Sequence, residues 1–246
     1  MMVKRSPRPP PIPQSPNKLL AALPAADYQR ILPSLTIVPS KFRQVLHRNG
    51  AKIDKIYFLG GGVGSVTNVM ADGRMVEVAT IGNEGVIGGV TVLLGGEVSP
   101  GEAFIQVPDG SGQSMPVEAF KKELLRRGPF HNLIGRYAQA FQILTMQSIA
   151  CNSLHSVEER CARWLLMTQD RVNGDELNLT HEFLGYMLGV RRPTVSLVLG
   201  TLDKAGVIHN GNRKITVVDR ERLEDISCEC YSAIKNAFDR LLPPQD

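Results

Sequence analysis

The stretch that decides the fold covers residues 179–208 and reads LTHEFLGYMLGVRRPTVSLVLGTLDKAGVI. Thr180 stands where a helix N-cap is expected, and Gly189 ends this first helix because glycine tolerates the left-handed C-cap conformation. We expect a second helix to begin at Pro193, since proline suits the first helical position and keeps Arg192 out of helical geometry. Two short helices joined by a tight turn that contains glycine form a helix-turn-helix.

The N-terminal residues of the second helix carry side chains that suit DNA. In a helix-turn-helix these residues lie against base edges in the major groove. An arginine that pairs bidentately with guanine contributes about 1–3 kcal/mol of discrimination, and a helix N-terminus attracts phosphate. The candidate base contacts are Arg191 and Arg192, followed by Thr194 and Ser196.

The next stretch, VIHNGNRKITVV at residues 207–218, predicts a β-hairpin because two apolar segments flank Asn210-Gly211. Such a hairpin is the wing of a winged helix. The candidate phosphate contacts are Thr180, Arg213 and Lys214, of which the last two lie beside the tip of the wing. Each of these side chains taken alone fits a solvated surface, but the whole set on one motif predicts DNA binding.

Upstream of this motif, residues 40–120 predict an antiparallel β-roll. Glycine-rich breaks separate short apolar stretches, and Asp72-Gly73 is a hairpin turn signal. Residues 75–79 alternate apolar and polar side chains, as a half-buried strand does. Many short strands at regular spacing are typical of a sandwich or a barrel-like roll. Residues 18–38 favour a short helical lead-in.

Residues 117–155 predict helix, and one face carries a seam whose spacing alternates between four and three residues. The seam consists of Phe130, Ile134, Tyr137, Phe141, Leu144, Ser148, Cys151 and His155. We expect it to form a coiled-coil contact between two copies of the chain, because a long helix does not easily cover both faces in so small a protein. The alternative is a helix that packs on its own domain. A redox-sensitive link between two Cys151 side chains is a further hypothesis.

The C-terminal part opens on a capping box between Ser156 and Glu159, and Asp219 is expected to cap one final helix. The predicted fold class is therefore α+β, with an N-terminal roll, a long dimerisation helix and a C-terminal winged helix-turn-helix. The predicted divisions are a disordered proline-rich tail at 1–17, the roll at 18–128, the dimerisation helix at 129–155 and the DNA-binding domain at 156–246.

Composition permits this interpretation and disfavours several others. The chain of 246 residues has a formal net charge of +4, which allows nucleic-acid binding without requiring it. It has no apolar run of about 18 residues and no secretory signal, so we expect a cytoplasmic protein without a membrane partner. It also lacks an HExxH motif, a nucleophile elbow and the lysine of a phosphate loop, so we do not expect an enzyme.

The four cysteines are Cys151, Cys161, Cys228 and Cys230, and none forms a CxxC pair. A disulfide scaffold is not predicted for so long a chain. Cys228 and Cys230 are two residues apart and point in different directions on a helix, so we expect no metal site. Cys161 is interpreted as a buried apolar residue.

The order of roll, long helix and winged helix resembles the Crp/Fnr family of bacterial transcription regulators over residues 18–220. Besides the helix-turn-helix, the resemblance depends on Tyr57-Phe-Leu before a glycine turn and on the segment IGNEGVIG at residues 81–88. It implies a homodimer that binds double-stranded DNA at a palindromic site, with RNA polymerase as a further partner. It also implies an effector-sensing roll that resembles a cyclic-nucleotide-binding domain.

Departures from the family pattern concern its cofactors. Cyclic-nucleotide binders carry a Gly-Glu pair and then an arginine for the phosphate, whereas this chain has Gly88-Gly89 and no arginine between Arg74 and Arg126. A buried phosphate without a cationic partner is costly. The iron–sulfur branch uses N-terminal cysteines, and none precedes Cys151. We therefore expect no cofactor, and the identity of an effector stays open.

The alternative function is that of a ligand-sensing signalling module whose winged helix docks onto protein. The dependence of binding on salt distinguishes the two functions. Affinity for DNA falls steeply as the salt concentration rises, because contacts with phosphates release counterions. The sequence leaves open the operator sequence and whether the protein activates or represses.

Overall fold

The structure is a computed structural model, and it describes residues 15–73 and 75–242. In chain order, the helices are α1 Lys18–Ala21, α2 Ala25–Ile31, α3 Gly89–Leu93, α4 Val117–Leu125, α5 Pro129–Leu154, α6 Val157–Gln169, α7 His181–Leu188, α8 Arg192–Lys204, α9 Arg220–Ile226 and α10 Cys230–Leu241. The strands are β1 Thr36–Pro39, β2 Val45–His47, β3 Lys55–Phe58, β4 Val63–Val69, β5 Met75–Ile81, β6 Glu102–Val107, β7 Ser111–Pro116, β8 Glu176–Leu177, β9 Ile208–Gly211 and β10 Lys214–Val217.

Strands β1 to β7 form the predicted roll from two antiparallel sheets, with the strand orders β1-β7-β3 and β2-β6-β4-β5. The predicted hairpin is confirmed, since β4 and β5 pair in antiparallel fashion around a turn in which Gly73 has a φ of +81°. Ile56, Phe58 and Met115 are buried and pack with residues of α4 and α5 in one core cluster. The helices therefore close one side of the roll.

The N-terminal segment is anchored from Ser15 onward, which corrects the tail boundary predicted at residue 17. Asn17 caps α1 by accepting the Leu20 N–H at 3.2 Å, and its amide donates to the carbonyl oxygens of Leu59 and Gly85, each at 2.9 Å. The Ser15 hydroxyl donates to a side chain of β7 at 2.6 Å. These buried hydrogen bonds hold the segment on the roll. The prediction of disorder over residues 1–14 lies outside the described residues.

Strand β5 is buried on a face that its sequence pattern did not predict. Glu77 is buried, whereas Val76 and Val78 on either side are only partly covered. The reason is that the C-terminal domain packs against this sheet, and Trp164 of α6 donates its Nε1–H to the Glu77 carboxylate at 3.0 Å. The alternation predicted that the Glu77 face of β5 is exposed to solvent, but this face is covered by the C-terminal domain.

Helix α5 is continuous over 26 residues, but its predicted seam faces its own chain. Phe130, Ile134, Tyr137, Leu144, Ser148 and Cys151 are at most 8% exposed, and Phe141 is partly buried. The C-terminal helix α10 packs along α5 and places the Phe238 ring 6.3 Å from that of Tyr137. The assignment of this seam to a dimer interface is corrected, because side chains buried within one subunit leave no surface for a second.

The C-terminal domain contains α6 to α10 and the three-stranded sheet of order β8-β10-β9. The capping box is confirmed, with Ser156 and Glu159 exchanging side-chain and backbone hydrogen bonds. Asp219 caps α9, but the predicted single final helix is broken after Ile226, where Ser227 adopts an extended backbone. In the part of the chain that the structure describes, no helix combines the length and the apolar character needed to cross a membrane.

The C-terminal domain is fixed on the roll by partly buried polar contacts as well as by aromatic packing. Arg171 donates to Glu84 and to Thr80, each at 2.7 Å. The Phe183 ring of α7 packs edge-on against Phe104 of β6 at 6.5 Å between ring centroids. The roll and the helix-turn-helix are therefore held in one defined arrangement.

Candidate nucleic-acid interface

The two helices of the helix-turn-helix begin and end at the residues that set its geometry. Thr180 Oγ1 accepts the Phe183 N–H at 3.2 Å, and Gly189 at the C-cap has φ +65°. These predicted caps are confirmed. A Cβ at Gly185 would lie 2.9 Å from the Val190 carbonyl oxygen, so glycine is needed where the turn crosses α7. The tight crossing fixes the direction in which α8 leaves the turn.

Helix α8, the recognition helix of this motif, begins one residue earlier than the sequence predicted. Arg191 is the extended N-cap and Arg192 the first helical residue, which places Pro193 at the second position. Proline is accepted there because the first four N–H groups of a helix have no acceptor within it. Val195 and Leu199 are fully buried against the domain core. The opposite side of α8 therefore faces solvent.

The solvent face of α8 carries most of the predicted base contacts. Arg191, Arg192 and Ser196 are exposed, and Thr194 is partly exposed. Leu197 beside them is 73% exposed, which places an apolar side chain within reach of the same surface. A leucine at this position can contact the methyl group of thymine. The exposed start of α8 has the size and chemistry of a major-groove reader.

His181 joins three parts of the interface, a connection that the sequence analysis missed. Its Nδ1 lies 2.9 Å from the Ser196 hydroxyl on α8, and its Nε2 lies 3.0 Å from the Asn210 side-chain oxygen on β9. Asp203 of α8 accepts the Asn210 N–H at 3.0 Å. Ser196 therefore helps to fix the wing relative to α8. No local pattern reveals this bridge, because its partners lie 15 and 29 residues away from His181.

The wing is a hairpin, but its turn is not the predicted Asn210-Gly211. Gly211 pairs with Lys214, so Asn212 and Arg213 form the turn. Asn210 belongs to the ladder, where it faces Ile215 and is held by the contacts described above. Arg213 has a φ of +58°, a left-handed conformation that costs a residue with a Cβ about 1–2 kcal/mol.

Charge is distributed unevenly over the candidate phosphate contacts. Within the described residues, Arg191, Arg192 and Arg213 form no ion pair, so their guanidinium groups are available to an anion. Lys214 is ion-paired with Glu176 of β8. Thr180 uses its hydroxyl oxygen to cap α7. The three arginines are thus the strongest anion-binding groups of the motif.

The segment that departs from the cyclic-nucleotide pattern lies in apolar surroundings. A Cβ at Gly89 would lie 2.9 Å from Val86 and 3.1 Å from Phe120. Gly88 has a φ of +84°, and a Cβ there would lie 2.4 Å from the ring of His47. Burial lowers the pKa of His47, which favours the neutral imidazole. The geometry at this place offers little to a phosphate.

The roll, the long helix and the winged helix with its free arginines define a class of fold, that of a winged helix-turn-helix joined to an N-terminal β-roll. Residues 159–226 match the Crp-like helix-turn-helix domain. No curated protein matches the sequence.

Solved structures of regulators share the fold over most of the chain. A regulator of the Crp/Fnr family from Eubacterium rectale aligns with a TM-score of 0.64 and 20% identity over 85% of this chain and 96% of its own. A CRP-family regulator from Thermus thermophilus gives 0.63 and 20% over 78% and 96%. The c-di-GMP-responsive global regulator CLP of Xanthomonas campestris gives 0.63 and 16% over 79% and 99%. The chain thus carries a Crp-like helix-turn-helix domain within a fold that it shares with solved regulators of the Crp/Fnr family.

Proposed function

We propose that this protein is a sequence-specific DNA-binding transcription regulator that acts as a homodimer on a palindromic site. The observation that carries the proposal is the exposed start of α8, where Arg191 and Arg192 present unpaired guanidinium groups at a helix N-terminus. A helix N-terminus with free donors attracts phosphate, and arginine reads guanine edges. The Crp-like domain match supports the same function. RNA polymerase is the partner that the family resemblance implies.

The proposed contacts fall into two groups. Arg191, Arg192 and Thr194 contact base edges, since they occupy the exposed start of α8. Arg213 contacts phosphate from the tip of the wing, and phosphate competes with Glu176 for Lys214. Thr180 lies at the N-terminus of α7, where its own N–H and hydroxyl approach the DNA backbone, and Ser196 contributes mainly by fixing the wing.

Replacement of Arg192 by alanine is expected to lower the affinity for the preferred DNA site about 5- to 150-fold, because one base contact carries about 1–3 kcal/mol. The affinity for random DNA should change little. Arg213→Gly is expected to lower the affinity for the preferred site and the affinity for random DNA by the same factor, because a phosphate contact carries no sequence information. The measurement is fluorescence anisotropy on a duplex selected from a random pool and on a scrambled duplex.

Two controls keep this comparison interpretable. Lys122→Ala removes a positive charge from the exposed surface of α4 and is expected to leave both affinities unchanged. Arg213→Gly is expected not to lower the melting temperature, because glycine adopts the left-handed turn without strain. An equal loss on both duplexes for Arg192→Ala, or a loss confined to the selected duplex for Arg213→Gly, would contradict the division of roles.

The second copy is proposed to pack on the outward face of α5, opposite the buried seam. Met146 and Ile149 are 62% and 68% exposed, although both are apolar. They continue the outward positions Gln139 and Gln142 at spacings of three and four residues. That spacing is the one which two packed helices require, and exposed apolar side chains on a helix mark an interaction surface.

A double variant, Met146→Lys and Ile149→Lys, is expected to halve the molar mass measured by light scattering, because it places like charges across the proposed contact. Both side chains are exposed in the single chain, so the melting temperature measured at low concentration should change little. Met70→Lys, at an exposed apolar position of the roll, is the matched control. A dimer that survives the double change, or a monomeric wild type, would contradict this interface.

A further inference from the structure

Three cysteines and one histidine meet where α5 ends and α10 begins. The sulfur atoms of Cys151, Cys228 and Cys230 and a ring nitrogen of His155 all lie within 4.8 Å of one another. Cys151 Sγ is 3.5 Å from Cys228 Sγ, and Cys230 Sγ is 3.4 Å from His155 Nδ1. The three cysteines are buried together as a separate small cluster. The DNA-binding motif described above uses none of these side chains.

The fold brings the four residues together in two pairs. Cys151 and His155 are four residues apart at the end of α5, so they lie on the same face of the helix. Cys228 lies in the break between α9 and α10, and Cys230 is the first residue of α10, so no continuous helix joins them. The sequence expectation that these two thiols diverge is therefore wrong, because it assumed unbroken helix between them. The extended backbone at Ser227 turns both sulfurs toward α5.

The separations match a tetrahedral site for a zinc ion. Zinc binds cysteine sulfur at about 2.3 Å and histidine nitrogen at about 2.0–2.1 Å. In a tetrahedron these bonds place two sulfurs about 3.8 Å apart and a sulfur and a nitrogen about 3.5 Å apart. The observed 3.5 Å and 3.4 Å require shifts of a few tenths of an ångström. The other separations, which extend to 4.8 Å, have to shorten by up to about 1 Å when the ion binds.

The surrounding side chains orient and stabilise such ligands. Glu229 lies 3.3 Å from Nε2 of His155, an arrangement that leaves Nδ1 directed at the sulfurs. Gln147 donates an N–H to Cys230 Sγ at 3.1 Å. These contacts hold the His155 ring and the Cys230 sulfur in place.

We propose that Cys151, His155, Cys228 and Cys230 bind one zinc ion, which ties α10 to the C-terminal end of α5. The set of three cysteines and one histidine is a common composition of structural zinc sites, and the four protein ligands leave no open position for catalysis. His155 is 17% exposed beside the exposed side chain of Glu229, and this opening gives the ion an entry path. The site adjoins Ser156, where the DNA-binding domain begins, so the ion stabilises the junction between α5 and that domain.

The first test is the metal content of the full-length protein purified under reducing conditions without a metal-affinity tag. We expect about one zinc ion per chain when the metal content is measured by inductively coupled plasma mass spectrometry. Cys228→Ser and His155→Gln are each expected to lose the ion, whereas Cys161→Ala, at a cysteine buried in the domain core outside the cluster, keeps it. Chelation should lower the melting temperature of the wild type and leave that of Cys228→Ser unchanged.

Cobalt binding provides a second readout. It uses only the wild-type protein, so it does not depend on whether the variants fold. Titration of the metal-free wild type with Co²⁺ is expected to give the intense visible absorption of a tetrahedral thiolate site, saturating at one equivalent. Absence of zinc together with no such absorption would overturn the proposal. So would iron with acid-labile sulfide, or a Cys151–Cys228 disulfide in the freshly purified protein. None of these outcomes depends on DNA binding, so failure of this site and failure of the proposed function are distinguishable.

Discussion

Replacement of Arg171 by leucine is expected to lower the free energy of unfolding by about 3 kcal/mol, since it leaves the largely buried carboxylate of Glu84 without its partner. Arg171 is almost fully buried and donates to Glu84 at 2.7 Å across the contact between the domains. Burial acts to raise the pKa of Glu84, but the charge and hydrogen bonds of Arg171 hold it below its usual value of 4.5. The measurement is equilibrium denaturation in urea at pH 7.

The pH dependence and a double variant test the same contact. Because the pKa of Glu84 is lower in the folded state, the contribution of the pair is present above about pH 4.5 and is lost as the pH falls below it. The difference between wild type and Arg171→Leu should therefore shrink in acid. Adding Glu84→Gln removes the unpaired charge and should restore part of the stability. A loss unaffected by Glu84→Gln and by pH would contradict this account.

Replacement of Glu77 by glutamine is expected to stabilise the protein by about 3 kcal/mol at pH 8. Burial raises the pKa of Glu77 from 4.5 to about 7, against the hydrogen bonds from Ser65 and Trp164. The difference between these values corresponds to about 3 kcal/mol that the folded state loses when this carboxyl ionises. Glutamine keeps an acceptor for Trp164 and removes the buried charge.

The sign of the effect follows from proton binding. Between pH 4.5 and about 7 the folded protein binds the Glu77 proton more tightly than the unfolded chain, so this group makes stability fall as the pH rises. Above pH 7 its contribution is constant. The gain from Glu77→Gln should thus grow from near zero at pH 4.5 to its full size at pH 8. Glu118→Gln, at an exposed position of α4, should show no such trend. A gain independent of pH would contradict the assignment.

The helix-turn-helix could be predicted because its signals are local. Thr180 and Gly189 cap the first helix through their own side chain and backbone, within three or four residues of their partners. The hairpin at Gly73 is equally local. The start of α8 was placed one residue late because proline is accepted at the second helical position as well as at the first. The wing turn was placed two residues early because the contacts made by Asn210 select the register of the hairpin.

The segments that cover the buried faces of α5 and β5 could not be predicted, because they come from distant parts of the chain. The spacing from Phe130 to Cys151 correctly indicates a buried helical face, but it does not say whether α10 or a second subunit covers that face. The alternation around Glu77 hides a polar contact with α6, 87 residues away. The pair Cys151 and His155 was visible as a spacing of four, but its meaning depends on the helix break after Ile226.

The most direct test of the central claim is the affinity of the wild-type protein for its selected duplex, measured by fluorescence anisotropy at several salt concentrations. With Arg213 and Lys214 on phosphates in each subunit, the dimer makes four such contacts. We therefore expect the logarithm of the binding constant to fall linearly with the logarithm of salt, with a slope of about −3.6. Arg213→Gly should make that slope shallower. Binding that does not change with salt, or no binding to any duplex of the pool, would contradict a DNA-reading function.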